Sequence, residues 1–183
     1  MSKATLRTFI AYVEDLPGVL NRVTSLFRRR NYNIISLTVG RTERPNVSRM
    51  TVVLEADADG ARRIEANLYK LVNVLWVEDT TEAATMLREL ALIKVRADAT
   101  SRSEVMRLCD VFRARVIDVG PEALVAEITG TVDKIDGLVD VLKPLGIVEM
   151  VRTGVVAMVR SAEVTGEGPH RPSTPPIDAP AAH

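Results

Sequence analysis

Asp15, Pro17 and Gly18 stand where the chain changes its period, and together they offer a chemistry that neither flank supplies alone. Upstream, Leu6 to Val13 alternates. Phe9, Ala11 and Val13 fall on one face of a strand, and Leu6, Thr8, Ile10 and Tyr12 on the other. From Val19 the spacing becomes helical, with Val19, Leu20, Val23, Leu26 and Phe27 on one stripe. Pro17 is expected in the first helical turn, where its missing N–H costs nothing. Asp15 is placed to cap from just outside, and Gly18 lets a ligand approach the backbone closely. A strand running into a glycine-bearing helix start gathers free N–H groups and the positive end of a helix dipole. That combination suits a carboxylate or a phosphate. A capped turn with no ligand fits the same residues, so the turn alone leaves both readings open.

Other residues capable of chemistry narrow the choice by their scarcity. The two histidines, His170 and His183, both lie near the C-terminus. The folded body therefore has no Ser-His or Cys-His nucleophile pair and no histidine metal site. Carboxylate or lysine catalysis remains open, but Glu14 and Asp15 are adjacent and would not point into one cleft from an extended strand end. Cys109 is the only cysteine, so no internal disulfide forms, and a cytoplasmic protein is expected. Cys109 also falls on a helical stripe with Val105, Leu108 and Phe112, which reads as core. Arg28-Arg29-Arg30 ends the first helix, where the dipole favours cations. With 24 basic and 24 acidic residues the net charge is zero, which argues against a nucleic-acid partner. No apolar run reaches membrane-spanning length, and Met1 to Thr5 leads directly into a strand, so no signal peptide is expected.

The elements that must position these residues follow from pattern. After the strand at Leu6–Val13 and the helix from Pro17 to about Arg30 come strands at Ile34–Gly40 and Ser48–Ala56. A helix with the stripe Ala61, Ile64, Leu68, Leu71 and Val72 follows, capped by Asp57 or Asp59. A strand at Asn73–Asp79 closes the set, with Trp76 as a packing residue at a sheet edge or interface. Strand, helix, strand, strand, helix, strand is the split βαβ pattern of ferredoxin-like domains. The pattern then repeats. Leu90–Val95 is a strand, and Ser101 with Glu104 forms the signature of a capping box. Strands at Val116–Val119 and Ala123–Thr129 precede a helix that stops at Lys143-Pro144. Gly146–Val151 and Val155–Val159 are the last extended segments. The fold class expected is α+β: two tandem ferredoxin-like domains with antiparallel sheets, at 4–80 and 87–160, joined by a linker at 81–86. Residues 161–183, crowded with glycine and proline, are expected to be a disordered tail.

Glu14-Asp15-Leu16-Pro17-Gly18-Val19-Leu20 is similar to the turn of ACT domains, small amino-acid-sensing modules. Arg28 to Val39, followed by Ser48-Arg49-Met50-Thr51, resembles the regulatory (small) subunit of acetohydroxyacid synthase, also called acetolactate synthase. Leu71–Leu75, Arg88–Val95, Phe112–Val119 and Arg152–Val156 extend the likeness in order and spacing from Leu6 to Arg160. The resemblance implies a non-catalytic regulatory subunit. It would stimulate a large catalytic subunit that carries thiamine diphosphate, magnesium and usually FAD, and that condenses 2-oxoacids in branched-chain amino-acid synthesis. It would also confer feedback inhibition by valine, bound where two ACT domains pair edge to edge in a homodimer.

The resemblance places valine against Asp15, Gly18, Val19 and Leu20 of the turn, and against Asn33 and Ile34 of the partner's second strand. Many relatives have Asn where this chain has Asp15, which adds a charge at that position. Physical chemistry is compatible with such a ligand. The N–H groups at Gly18-Val19 suit its carboxylate. Asp15 and Asn33 offer acceptors for its ammonium. Leu20 and Ile34 suit a branched aliphatic side chain. Selectivity among valine, leucine and isoleucine is expected to be only about 1–3 kcal/mol, because an apolar pocket separates single methylenes poorly. Two readings of other classes compete: a small enzyme using Glu14 and Asp15, and a nucleic-acid-binding regulator using Arg28-Arg29-Arg30.

Overall fold

The computed structural model describes residues 4–160. The expected tail at 161–183 and both histidines lie outside the described residues. Compactness divides the chain in two: residues 4–35, 39–84 and 159–160 form one unit, and residues 36–38 and 85–158 the other.

The first sheet and its helices run β1 (Thr5–Glu14), α1 (Val19–Arg29), β2 (Ile34–Arg41, whose residues 36–38 cluster with the second unit), β3 (Val47–Ala56), α2 (Ala58–Leu68) and β4 (Val74–Asp79). The sheet order is β2-β3-β1-β4, with β1 antiparallel to both neighbours. Phe9 pairs with Val52 and Ala11 with Met50, so the alternation of the two strands coincides and one face is fully buried. Against that face α1 buries Val19, Val23 and Phe27, and α2 buries Ala61, Ile64 and Leu68. β2 and β4 are the edges. On β4, Trp76 packs 5.9 Å from Tyr12 of β1, the edge packing its type suggests.

Asp57 rather than Asp59 caps α2, its Oδ1 accepting from the Gly60 N–H at 2.7 Å. Asp57→Ala should cost about 1 kcal/mol. The measurement is the urea midpoint at constant slope, and an unmoved midpoint would show that this cap contributes nothing. Behind α2, burial raises the Glu65 carboxyl above its ordinary 4.5, and Asp79 pushes it in the same direction. Burial also raises Glu78, opposed by Arg49 and reinforced by Glu65. A raised carboxyl means that ionisation costs more in the folded chain than in the unfolded one. The cost is full above the folded pKa and vanishes below the unfolded value. Glu65→Gln should therefore raise the melting temperature at pH 7 and leave it unchanged below pH 4.5. Equal shifts at both pH values would remove desolvation as the cause.

The second unit runs β5 (Thr85–Arg96), α3 (Arg102–Val111), β6 (Arg115–Val119), β7 (Ala123–Gly130), α4 (Val132–Leu142), a 3-10 turn at Lys143–Leu145, β8 (Ile147–Arg152) and β9 (Val156–Val159). The order β6-β7-β5-β8 repeats the first sheet, and β9 joins as a fifth strand on β5. β5 begins at Thr85, inside the stretch that composition marks as linker. Its core combines Ala91, Ile93 and Val95 of β5 with Leu124, Ala126 and Ile128 of β7, and Val105 and Cys109 of α3 with Ile135, Leu138 and Leu142 of α4. Cys109 is buried, and burial, with Asp110 nearby, raises its thiol above the ordinary range, as befits a core residue. α3 and α4 meet at Gly137, where a Cβ would lie 3.0 Å from the Phe112 ring.

Two expected helix starts differ in the structure. The capping box at Ser101 and Glu104 does not form. Ser101 adopts helical rather than extended dihedrals, and its hydroxyl donates to Asp98 at 2.9 Å. Asp98 also accepts from the Thr100 hydroxyl and from the backbone N–H groups of Thr100 and Ser101, and these bonds hold its carboxyl well below the usual range. An aspartate three residues earlier thus takes the role expected of the serine. The second difference is at α1 and belongs to the candidate site.

Candidate functional site

α1 begins at Val19, not at Pro17. Gly18 sits at φ 84°, ψ −7°, and the Val19 N–H donates to the Leu16 carbonyl at 3.3 Å. Leu16 to Val19 is therefore a type II turn, with Pro17 fixing φ at its second position and Gly18 supplying the positive φ at its third. The proline is used before the helix, because a residue at positive φ must intervene.

This geometry leaves the helix start open. Gly18 is the N-cap and offers no side chain, and the first turn contains no acidic residue. The Arg22 N–H reaches the Gly18 carbonyl at 3.1 Å. Among the described residues, the N–H groups of Gly18, Leu20 and Asn21 have no acceptor. Three donors without an acceptor thus lie at the positive end of α1, the setting of an anion site. Nothing lies within 4 Å of a Cβ built on Gly18, so the approach is unobstructed.

Asp15 does not cap α1. Its Oδ1 accepts from the buried Ser48 hydroxyl at 3.1 Å, and its Oδ2 faces Arg41 Nε at 3.4 Å. Its backbone N–H donates to the Asn46 carbonyl at 2.8 Å. It lines a cavity of about 370 Å³ formed with Arg41 to Val47, the loop between β2 and β3. Glu14 turns elsewhere, accepting from Asn73 Nδ2 at 2.5 Å, while Arg22 donates to Asn73 Oδ1. The two adjacent carboxylates have separate partners and do not form an acid–base pair. Ser48, Arg41, Asn73 and Arg22 are residues of this region that sequence reasoning missed. The available signal was a lone buried polar residue beside an apolar run, Ser48 before Met50 and Asn73 before Val74.

Val19 is 4 % exposed, its side chain in the core, so only its backbone faces the turn, whereas Leu20 is 43 % exposed. Asn33 and Ile34 are not beside the turn. They line a different cavity, of about 360 Å³, with Phe27, Arg28 and Asn31. β2 separates them from the Asp15 side, because Ile34 starts the strand and Arg41, the partner of Asp15, ends it. Eight residues span about 25 Å at the usual strand rise. Within one chain the expected site residues thus form two half-sites. Among the described residues, no group of three or more His, Cys, Asp or Glu is placed to hold a metal ion, and no helix is long and apolar enough to cross a membrane.

Comparison with known proteins decides the family. Residues 9–76 match the AHAS small subunit-like ACT domain, and residues 88–161 match the family described as the small subunit of acetolactate synthase. The acetolactate synthase small subunit of Mycolicibacterium smegmatis is 46 % identical over 167 residues, 91 % of this chain and 98 % of that protein. The chain belongs to the acetolactate synthase small-subunit family. A probable acetolactate synthase small subunit of Archaeoglobus fulgidus is 46 % identical over 153 residues, 84 % of this chain and 96 % of that one. The crystal structure of the Thermotoga maritima acetolactate synthase small subunit superposes with a TM-score of 0.80 at 38 % identity, covering 86 % of this chain and 98 % of that one. Both candidate half-sites of this acetolactate synthase small-subunit chain lie inside the ACT match, and the α+β architecture of tandem ferredoxin-like units agrees with the neighbour.

Proposed function

We propose that the chain is the regulatory subunit of an acetolactate synthase. In this reading it has no catalytic activity of its own. It binds the large catalytic subunit, raises its activity and makes it sensitive to valine. Thiamine diphosphate, magnesium and FAD belong to that catalytic partner. The observation that supports the reading most directly is the uncapped start of α1. Three N–H groups, of Gly18, Leu20 and Asn21, lie there without an acceptor, a suitable receptor for the carboxylate of a free amino acid.

The remaining half of the site comes, in this reading, from a second copy. β2 is an edge strand, and edge strands invite pairing. Two β2 strands joined antiparallel about a two-fold axis bring the start of one beside the end of the other. Asn33 and Ile34 of the partner subunit then approach Asp15, Gly18 and Leu20. The ligand ammonium meets Asp15 or the partner's Asn33, and its branched side chain rests on Leu20 and the partner's Ile34. A ligand held by both copies biases their geometry, which is the requirement for a coupling of about 1–3 kcal/mol to a distant active site.

The test is acetolactate formation by the purified catalytic subunit, with and without this chain, across a valine titration. The chain should raise the rate and valine should lower it again. A rate indifferent to the chain would end the reading.

A further inference from the structure

A third concave feature of the first unit lies beside the amino-acid site and shares Asn21 with it. α1 and the C-terminal end of α2 enclose a cleft of about 390 Å³. Arg22, Arg29, Arg30 and Lys70 line it, with Leu26 and Leu71 as its apolar residues, and none of the lining residues is acidic. The cations are poorly neutralised. Arg30 Nη2 and Lys70 Nζ share one neutral acceptor, Asn67 Oδ1, at 3.1 and 3.4 Å. Arg22 donates to the neutral amide of Asn73. Among the described residues, the Arg29 side chain has no hydrogen-bond or ion-pair partner.

The helix dipole accounts for only part of this. Arg28 and Arg29 sit in the last turn of α1, where cations are favoured. Arg22 sits near the opposite end, where they are not, and Lys70 lies beyond α2. No acidic residue occurs anywhere in α1. The net charge of the whole chain is zero, so this concentration of one sign is local and not a consequence of composition. From Arg22 to Arg30 the groove runs about 12 Å along the helix. Cationic walls over apolar residues are complementary to an amphipathic segment that carries carboxylates on one side and an aliphatic side chain on the other.

We propose that this cleft seats an acidic segment of the catalytic partner. The inference rests on the reading of the chain as a regulatory subunit and adds to it a surface. Carboxylates of the partner pair with Arg22, Arg29, Arg30 and Lys70, and an apolar side chain sits between Leu26 and Leu71. Partner docking through the helical face would leave the turn at Gly18 and the edge of β2 free for the effector.

The test measures association of the full chain with the full-length catalytic subunit, at low and at physiological salt. Arg29→Glu with Lys70→Glu should weaken binding at least about tenfold and flatten its salt dependence. A control of equal charge change outside the cleft, Arg63→Glu with Arg107→Glu, should leave affinity within about twofold. Arg29→Gln with Lys70→Gln removes the charges without reversing them, and it should weaken binding even if the reversed pair folds poorly. The inference falls, while the regulatory reading stands, if both cleft variants bind like the native chain. It also falls if the cleft variants lose a tripolyphosphate-induced melting shift yet keep full association, because the cleft would then serve a small anion. Failure of the native chain to bind the catalytic subunit would overturn the regulatory reading and the inference together.

Discussion

Gly18→Asp should abolish the rise in melting temperature that valine is proposed to give the native chain, while lowering ligand-free stability by only about 1–2 kcal/mol. The modest cost follows from the left-handed φ of 84°, which a side chain tolerates poorly, and from the open space around the position, which spares it a clash. The large effect is on the ligand. A carboxylate attached at the third residue of the turn sits beside the N–H groups of Leu20 and Asn21. It satisfies them itself and repels an incoming carboxylate. Valine at about a hundred times its dissociation constant would stabilise the native chain by roughly 2.7 kcal/mol, and all of that should vanish. Gly18→Ala separates the two causes, since it brings the same backbone strain without the charge and should keep a measurable response. Equal losses in Ala and Asp would assign the effect to the turn's backbone. A full response in Gly18→Asp would place the effector elsewhere.

Glu89→Ala should destabilise the second unit by about 3 kcal/mol. Glu89 is 6 % exposed, and it holds Arg152 through two bonds, to Nε at 3.0 Å and to Nη2 at 2.5 Å. Arg152 also reaches Asp136 at 2.6 Å. One guanidinium therefore ties β5, β8 and α4, and the two carboxylates raise its pKa above the ordinary arginine value. Removing Glu89 leaves Arg152 with Asp136 alone in a partly desolvated position, the circumstance in which a broken pair costs most. For a unit of this size the loss corresponds to some 10 °C or more in melting temperature. Glu89→Leu combined with Arg152→Met, which leaves no orphan charge, should recover most of it. A shift of under about 2 °C in Glu89→Ala would show that the network is too well solvated to matter.

The sequence was informative wherever burial imposes a period. Phe9, Ala11 and Val13 against Met50, Val52 and Leu54, or Val19, Val23 and Phe27 on α1, are fixed by which face meets a core, and that face is written as spacing. The helix starts were harder to read. Pro17 fits both a first helical turn and the second position of a type II turn, and only the dihedral of Gly18 decides. Ser101 and Glu104 have the right spacing for a capping box, but Asp98 is a stronger acceptor at a competing distance. β9 was visible as an extended run, yet nothing in its residues states that it pairs with β5. The site was legible at its glycine and not at its supports. Ser48 and Asn73 act through bonds to residues 33 and 59 positions away, a separation that no local pattern encodes.

The length of β2 has a genetic consequence. If the turn at Gly18 and the side chains of Asn33 and Ile34 belong to one pocket only when they come from different chains, then damage to each half lies on a different molecule's contribution to that pocket. Consider a chain altered at Gly18 paired with a chain altered at Asn33. One pocket of the pair receives both defects and the other receives neither. Two alleles that are each insensitive to the effector would regain part of the response when expressed together, whereas two alleles altered in the same half would not.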